Sequence, residues 1–174
     1  MTHNHEASTG SIFVQFYRDA VKILMHPKAF YESMPEQKDQ QAIKIFLVLS
    51  ALLYSVAATF FVREQQLVFL FLFFLNGFLM PFIIAATLYL VLYFLKVGMV
   101  YRVALGITAY ANTALLFAWI PGMGPFAELF RYYLIGVGIV QVTGLNGWKA
   151  FFVLLGMAAV LLLLIYFLQM LIAN

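Results

Sequence analysis

Cysteine is absent from the chain. That excludes a disulfide framework, a thiolate nucleophile and a zinc thiolate site. Charge is nearly as scarce. Only 10% of residues are Asp, Glu, Lys or Arg, against about 25% in soluble domains, too few to cover the surface of a soluble protein. The residues from Leu67 to Leu95 carry no charge at all. All three histidines, His3, His5 and His26, precede the long apolar runs, and no carboxylate falls in the middle of one. There is no pair of facing carboxylates, no HExxH, no phosphate-binding glycine loop and no GxSxG. The expectation is a non-enzymatic protein without catalytic, cofactor-binding or metal residues. His3, His5 and Glu6 read as a polar tail. Nothing points to nucleic acid. The first ten residues lack a basic cluster followed by an apolar core, so no cleaved signal peptide is expected.

What the chain has is apolar surface. It is 65% hydrophobic, with mean hydropathy +0.97 and 19 Phe in 174 residues. Runs beyond about 18 apolar residues are membrane spans. Hydropathy and breakers predict five: Ile43–Val62, Leu67–Leu95, Val103–Ile120, Phe126–Gln141 and Trp148–Ile172. The second is roughly 43 Å long as a helix, against a hydrocarbon core of about 30 Å. Pro81 lies in its middle, so a kinked helix is expected, with a broken or re-entrant pair as the alternative. PGMGP, Pro121 to Pro125, stops the third span and Pro125 suits the first turn of the fourth. Glu128 and Arg131 shorten the apolar part of that fourth span.

The basic residues set an orientation. Arg18, Lys22, Lys28, Lys38, Lys44, Lys96, Arg102 and Lys149 fall on the N-terminal side of such a five-span bundle, against Arg63 and Arg131 on the other. The positive-inside rule then places the N-terminus in the cytoplasm. The fold class expected is all-α: a polytopic membrane protein with five transmembrane helices preceded by an amphipathic interfacial helix. Residues 1–42 form its cytoplasmic segment and 43–174 its membrane domain.

That interfacial helix is read over residues 12–25. Ile12, Phe13, Phe16, Tyr17, Ala20, Val21, Leu24 and Met25 recur at the helical period, with Gln15, Arg18, Asp19 and Lys22 opposite. Ser11 suits its cap, and His26 with Pro27 its end. Phe16, Arg18, Lys22, Leu24, Pro27 and Phe30 are the candidate membrane-surface contacts, apolar face in the interface and cations toward anionic headgroups. Packing on the protein's own helices is the other reading. The polar stretch Pro35 to Gln41 links this helix to the first span.

Inside the spans the polar groups are neutral: Asn76, Thr87, Thr108, Asn112, Thr113 and Gln141. Asn76 and Asn112 are costly against lipid and are expected to point inward. They either join neighbouring helices, at about 0.6–2 kcal/mol per hydrogen bond, or line a small polar cavity for a headgroup or substrate. The candidate intramembrane residues are Asn76, Pro81, Tyr110, Asn112 and Gln141. Ala104, Gly106, Ala109, Ala111, Ala114 and Ala118 make the third span small-sided and therefore central. The second and fifth, built from Leu, Phe, Ile and Val, are expected to face lipid.

The stretch from Tyr101 to Ala150 resembles the signature of the Yip1 domain family in its bacterial form. Its carriers are Ala109-Tyr110-Ala111, Trp119-Ile120-Pro121, the Gly122 and Gly124 turn, Gly136, and a Gly144-containing loop leading to Lys149-Ala150. HPKAFYESM, His26 to Met34, is similar to the family's proline–aromatic segment before the first span. The resemblance implies a polytopic helix bundle. Eukaryotic relatives bind small Rab-type GTPases in vesicle trafficking and carry a long cytosolic N-terminal region, where this chain has about 42 residues. Two functions follow as expectations. One is a membrane adaptor or organiser of the bacterial cytoplasmic (inner) membrane, in contact with the lipid bilayer and with a membrane or cytoplasmic protein partner, a homo-oligomer being open. The other is a small transporter or permeation factor around Asn76, Asn112 and Gln141.

Overall fold

The computed structural model describes residues 9–34, 40–62 and 64–172. The His3, His5 and Glu6 tail, most of the 35–41 linker, Arg63 and the side chain of Ser11 lie outside the described residues. The chain there is all helical: α1 (Thr9–Met25), α2 (Pro27–Glu32), α3 (Gln40–Thr59), α4 (Gln66–Phe94), α5 (Tyr101–Ala111), a 3-10 segment (Asn112–Phe117), α6 (Gly124–Thr143) and α7 (Gly147–Ile172).

The five-span expectation is corrected. Among the described residues three helices are long and apolar enough to cross a membrane: α3, α4 and α7. The expected third span divides into the 11-residue α5 and the 3-10 segment. At 1.5 Å per residue α5 rises about 16 Å, half of a hydrocarbon core. Where the winding changes, Thr113 donates its hydroxyl to the Tyr110 carbonyl at 2.7 Å. The expected fourth span is α6, which is 20 residues long but carries Glu128 and Arg131 within its first half. Apolar counting overvalued both segments because their Ala, Gly and Thr content reflects contact with protein, not lipid.

That hairpin is the centre of the molecule. Every residue from Ala104 to Leu115 is buried. α5 packs against α3, α4 and α6, and the 3-10 segment against α3 and α6. Trp119, in the turn that follows, stacks on Phe61 beyond the end of α3, ring centroids 5.9 Å apart. Outside this centre, α4 and α7 turn most of their Leu, Phe and Ile outward. α4 runs without a break through Pro81, one helix and not a broken pair. α6 closes at Gly144, whose φ of +69° takes the left-handed conformation that a helix end favours.

α1 and α2 dock on the bundle. The apolar stripe of α1 divides: Phe16, Ala20 and Ile23 are buried on the protein, while Phe13, Val14, Tyr17 and Met25 stay exposed. α2 packs on α6, and the fit depends on Gly138. A Cβ there would stand 2.7 Å from Ile107 Cγ2 and 3.3 Å from the Tyr31 ring. Gly138→Ala is therefore expected to cost about 1–3 kcal/mol by overpacking. Gly98→Ala, where a Cβ meets nothing within 4 Å, should leave the melting temperature in the same detergent unchanged. Equal melting of the two variants would mean that α5 and α2 do not close on α6 at that point.

Candidate functional site

Pro81 has no N–H, so the carbonyl of Gly77, four residues earlier, loses its partner within α4. In hydrocarbon that carbonyl must find another donor. Asn112 supplies it: its Nδ2 donates to the Gly77 carbonyl at 2.9 Å. One turn earlier, the Thr108 hydroxyl lies 3.0 Å from the Pro81 carbonyl and 3.1 Å from that of Leu105, sharing its hydrogen between them. Asn112 and Thr108 are each 2% exposed. They fasten α5 and the 3-10 segment to the bend-prone middle of α4. α3 closes on the same point, since a Cβ at Gly77 would stand 3.4 Å from the Ala51 backbone. Once Nδ2 is committed, Asn112 Oδ1 is left buried and without a hydrogen bond among the described residues.

A second cluster adjoins the first. Tyr110 packs against Phe30 and Phe46, at 4.9 and 4.6 Å between ring centroids, and Phe16 against Phe46 at 4.8 Å. Four helices thus meet in one aromatic contact. Tyr31 donates its hydroxyl to the Ile107 carbonyl at 3.2 Å. Burial, with the neighbouring Tyr110 second, pushes the Tyr31 phenol well above its ordinary range, so it stays a donor.

The nominated residues therefore separate. Pro81, Asn112 and Tyr110 come together. Phe16 and Phe30, expected at the membrane surface, are buried, Phe30 against Tyr110 and Phe16 against Phe46. Asn76, expected to point inward, is exposed on the outer face of α4. Gln141 is half-buried in a shallow groove of ≈ 270 Å³ between α6 and α7, with Lys28 and Gly136 in its wall. Arg18 and Lys22 are exposed at the surface of α1, and Leu24 and Pro27 are half-buried. Asn76 on the outer face of α4, Asn112 buried beside Gly77 and Gln141 in the α6–α7 groove thus lie in three different settings.

Sequence reasoning passed over Gly77, Thr108 as a partner of Pro81, Tyr31 and Phe46. The signal for the first two was present: a proline within a span names the carbonyl four residues back as needing a donor. It also passed over the burial of Arg131, which pairs with Glu128 at 3.2 Å and lies over the Tyr132 ring at 5.9 Å. Its Nε has no hydrogen-bond partner among the described residues. No group of three or more His, Cys, Asp or Glu placed to hold a metal ion occurs among them.

Residues 21–168 match the family model described as the Yip1 domain. No curated protein matches the chain, and no solved structure does.

The latch has a direct test. Asn112→Ala in the natural background leaves the Gly77 carbonyl unpaired, at about 1–3 kcal/mol. In a Pro81→Ala background the backbone N–H restored at position 81 can serve that carbonyl, so the same substitution should cost less. A double-mutant cycle on thermal stability in detergent is expected to give a coupling of about 0.5–3 kcal/mol. Strict additivity would mean that Asn112 does not compensate the proline.

Proposed function

The chain belongs to the Yip1 domain family, and from that premise we propose that it is a non-enzymatic membrane adaptor, meeting its partner through α1 and the loops on the same side. One observation carries the reading. α1 is fixed to the bundle by Phe16, Ala20 and Ile23, while Phe13, Tyr17 and Arg18 of the same helix stand exposed, Tyr17 at 71%. A helix anchored on one face and mixed aromatic and basic on the other is a rigid contact surface. Aromatic and arginine side chains carry most of the energy at protein interfaces.

The distribution of polar groups supports the same reading against a transporter. The donors of three interior side chains are spent on backbone carbonyls: Asn112 Nδ2 on Gly77, the Thr108 hydroxyl on Pro81 and Leu105, the Tyr31 hydroxyl on Ile107. Two hollows, ≈ 270 and ≈ 480 Å³, lie at the periphery, the first with Lys28 and Gln141 in its wall and the second lined by Leu53, Val56, Ala57, Phe60, Phe61 and Trp119.

The proposal includes orientation and place. Lys44, Lys96, Arg102 and Lys149 flank the three long helices at one end and Arg63 the other. The positive-inside rule then puts α1 in the cytoplasm. The motifs from Tyr101 to Ala150 favour a bacterial-type member in the inner membrane.

Two measurements decide it. A photocrosslinking residue at Tyr17 in native membranes should trap a discrete protein adduct, and one at Leu162 on the exposed face of α7 should not. The purified protein in sealed vesicles should pass no small neutral or anionic solute. Solute flux abolished by Asn112→Leu, with no adduct at Tyr17, would replace the adaptor with the permeation factor.

A further inference from the structure

Three long helices expose apolar side chains to the bilayer, and one carboxamide interrupts them near mid-depth. The hydroxyls of Ser50, Ser55, Thr59 and Thr87 each donate to a carbonyl of their own helix. Asn76 makes no such bond with a described residue, and its side chain is exposed. It lies four residues from Met80, the middle of α4, or about 6 Å along the axis. That depth is too great for a short amide to reach the headgroups. A carboxamide facing hydrocarbon with two donors and an acceptor unmet is unfavourable, and such groups in spans pair with other helices.

The neighbours of Asn76 define a seam. Leu72, Asn76, Leu79, Ile83, Ala86 and Leu90 are all exposed, and their spacing alternates four and three. That is the heptad pattern of a left-handed helix pair, with Asn76 at the same register as Ile83 and Leu90. The exposed face of α7 offers a contrast: from Phe151 to Ile165 it has no polar side chain.

Symmetry selects the occupant. All copies of a membrane protein insert in one orientation, so a two-fold axis lies along the membrane normal. Two α4 helices beside that axis run parallel, and each seam residue meets its own counterpart. An amide is donor and acceptor at once, so it satisfies itself across such an axis. A different helix would have to bring its own polar group to the same depth. We propose that the outer face of α4 is a homodimer interface, two copies packed in parallel through this seam with Asn76 hydrogen-bonded to the partner's Asn76. A buried asparagine at one such position fixes register and oligomer number.

The natural absence of cysteine makes single-cysteine variants clean reporters. Leu72→Cys and Leu79→Cys should form disulfide dimers on oxidation in native membranes. Leu162→Cys, exposed on α7, should stay monomeric. Purified protein labelled for energy transfer in phosphatidylcholine vesicles should associate, and Asn76→Leu should weaken association about three- to thirty-fold while Asn76→Gln retains it. Equal crosslinking at Leu162 would reduce the contact to collision and overturn the proposal. So would a natural protein that stays monomeric in vesicles, which would assign Asn76 to another protein's helix. Unchanged or tighter association of Asn76→Leu would overturn the pairing.

Discussion

A proline in the middle of a membrane helix creates an unpaired carbonyl where no water can answer it, and the bundle is organised around that deficit. The Gly77 carbonyl must be served from outside α4, and the donor must be a side chain, because the backbone donors of neighbouring helices are committed. Asn112 meets the requirement only if α5 and the 3-10 segment lie directly against α4. Close approach in turn requires small residues. Gly77 faces Ala51, and the run from Ala104 to Ala114 is rich in Ala, Gly and Thr. The position of α5 and the 3-10 segment, and their small-residue composition, follow from one missing N–H.

The two helices before the first span are joined to this centre by a different force. Phe16, Phe30, Phe46 and Tyr110 bring rings from α1, α2, α3 and α5 into one contact. Tyr31 adds a hydrogen bond to the Ile107 carbonyl, and Gly138 leaves the space in which Ile107 and Tyr31 sit. The segment before the first span is thus part of the packed protein along one face. The other face of α1 remains open for contact. A surface held from behind in this way loses less freedom on binding.

Much of this was legible in the chain. The helical period from Ile12 to Met25, the uncharged run after Leu67, the PGMGP stop and the central place of the small-residue segment all have local signatures. What covers each face does not. Phe13 and Phe16 belong to the same apolar stripe, and only the shape of the bundle decides that Phe16 is buried and Phe13 exposed. Hydropathy likewise counted α6 and the α5 region as spans, because it sums apolar character without regard to length, winding or what encloses it. Asn76 was misplaced for a related reason. The cost of an amide in lipid predicts that it needs a partner, and nothing local says whether the partner lies within the same chain.

The burial of the central hairpin also bears on how the protein is made. A segment divided between a short helix and 3-10 turns, with Arg102, Thr108, Asn112 and Thr113 along it, gains its stability from α3, α4 and α6 and from the α2 rings packed against it. It cannot settle in the bilayer as each helix leaves the ribosome. α3 and α4 can enter alone, whereas α5 and the 3-10 segment must wait in a protein-lined space until α6 arrives to close it. The molecule's insertion is therefore a folding reaction in its middle third, and chain synthesis beyond Thr143 is the step that completes it.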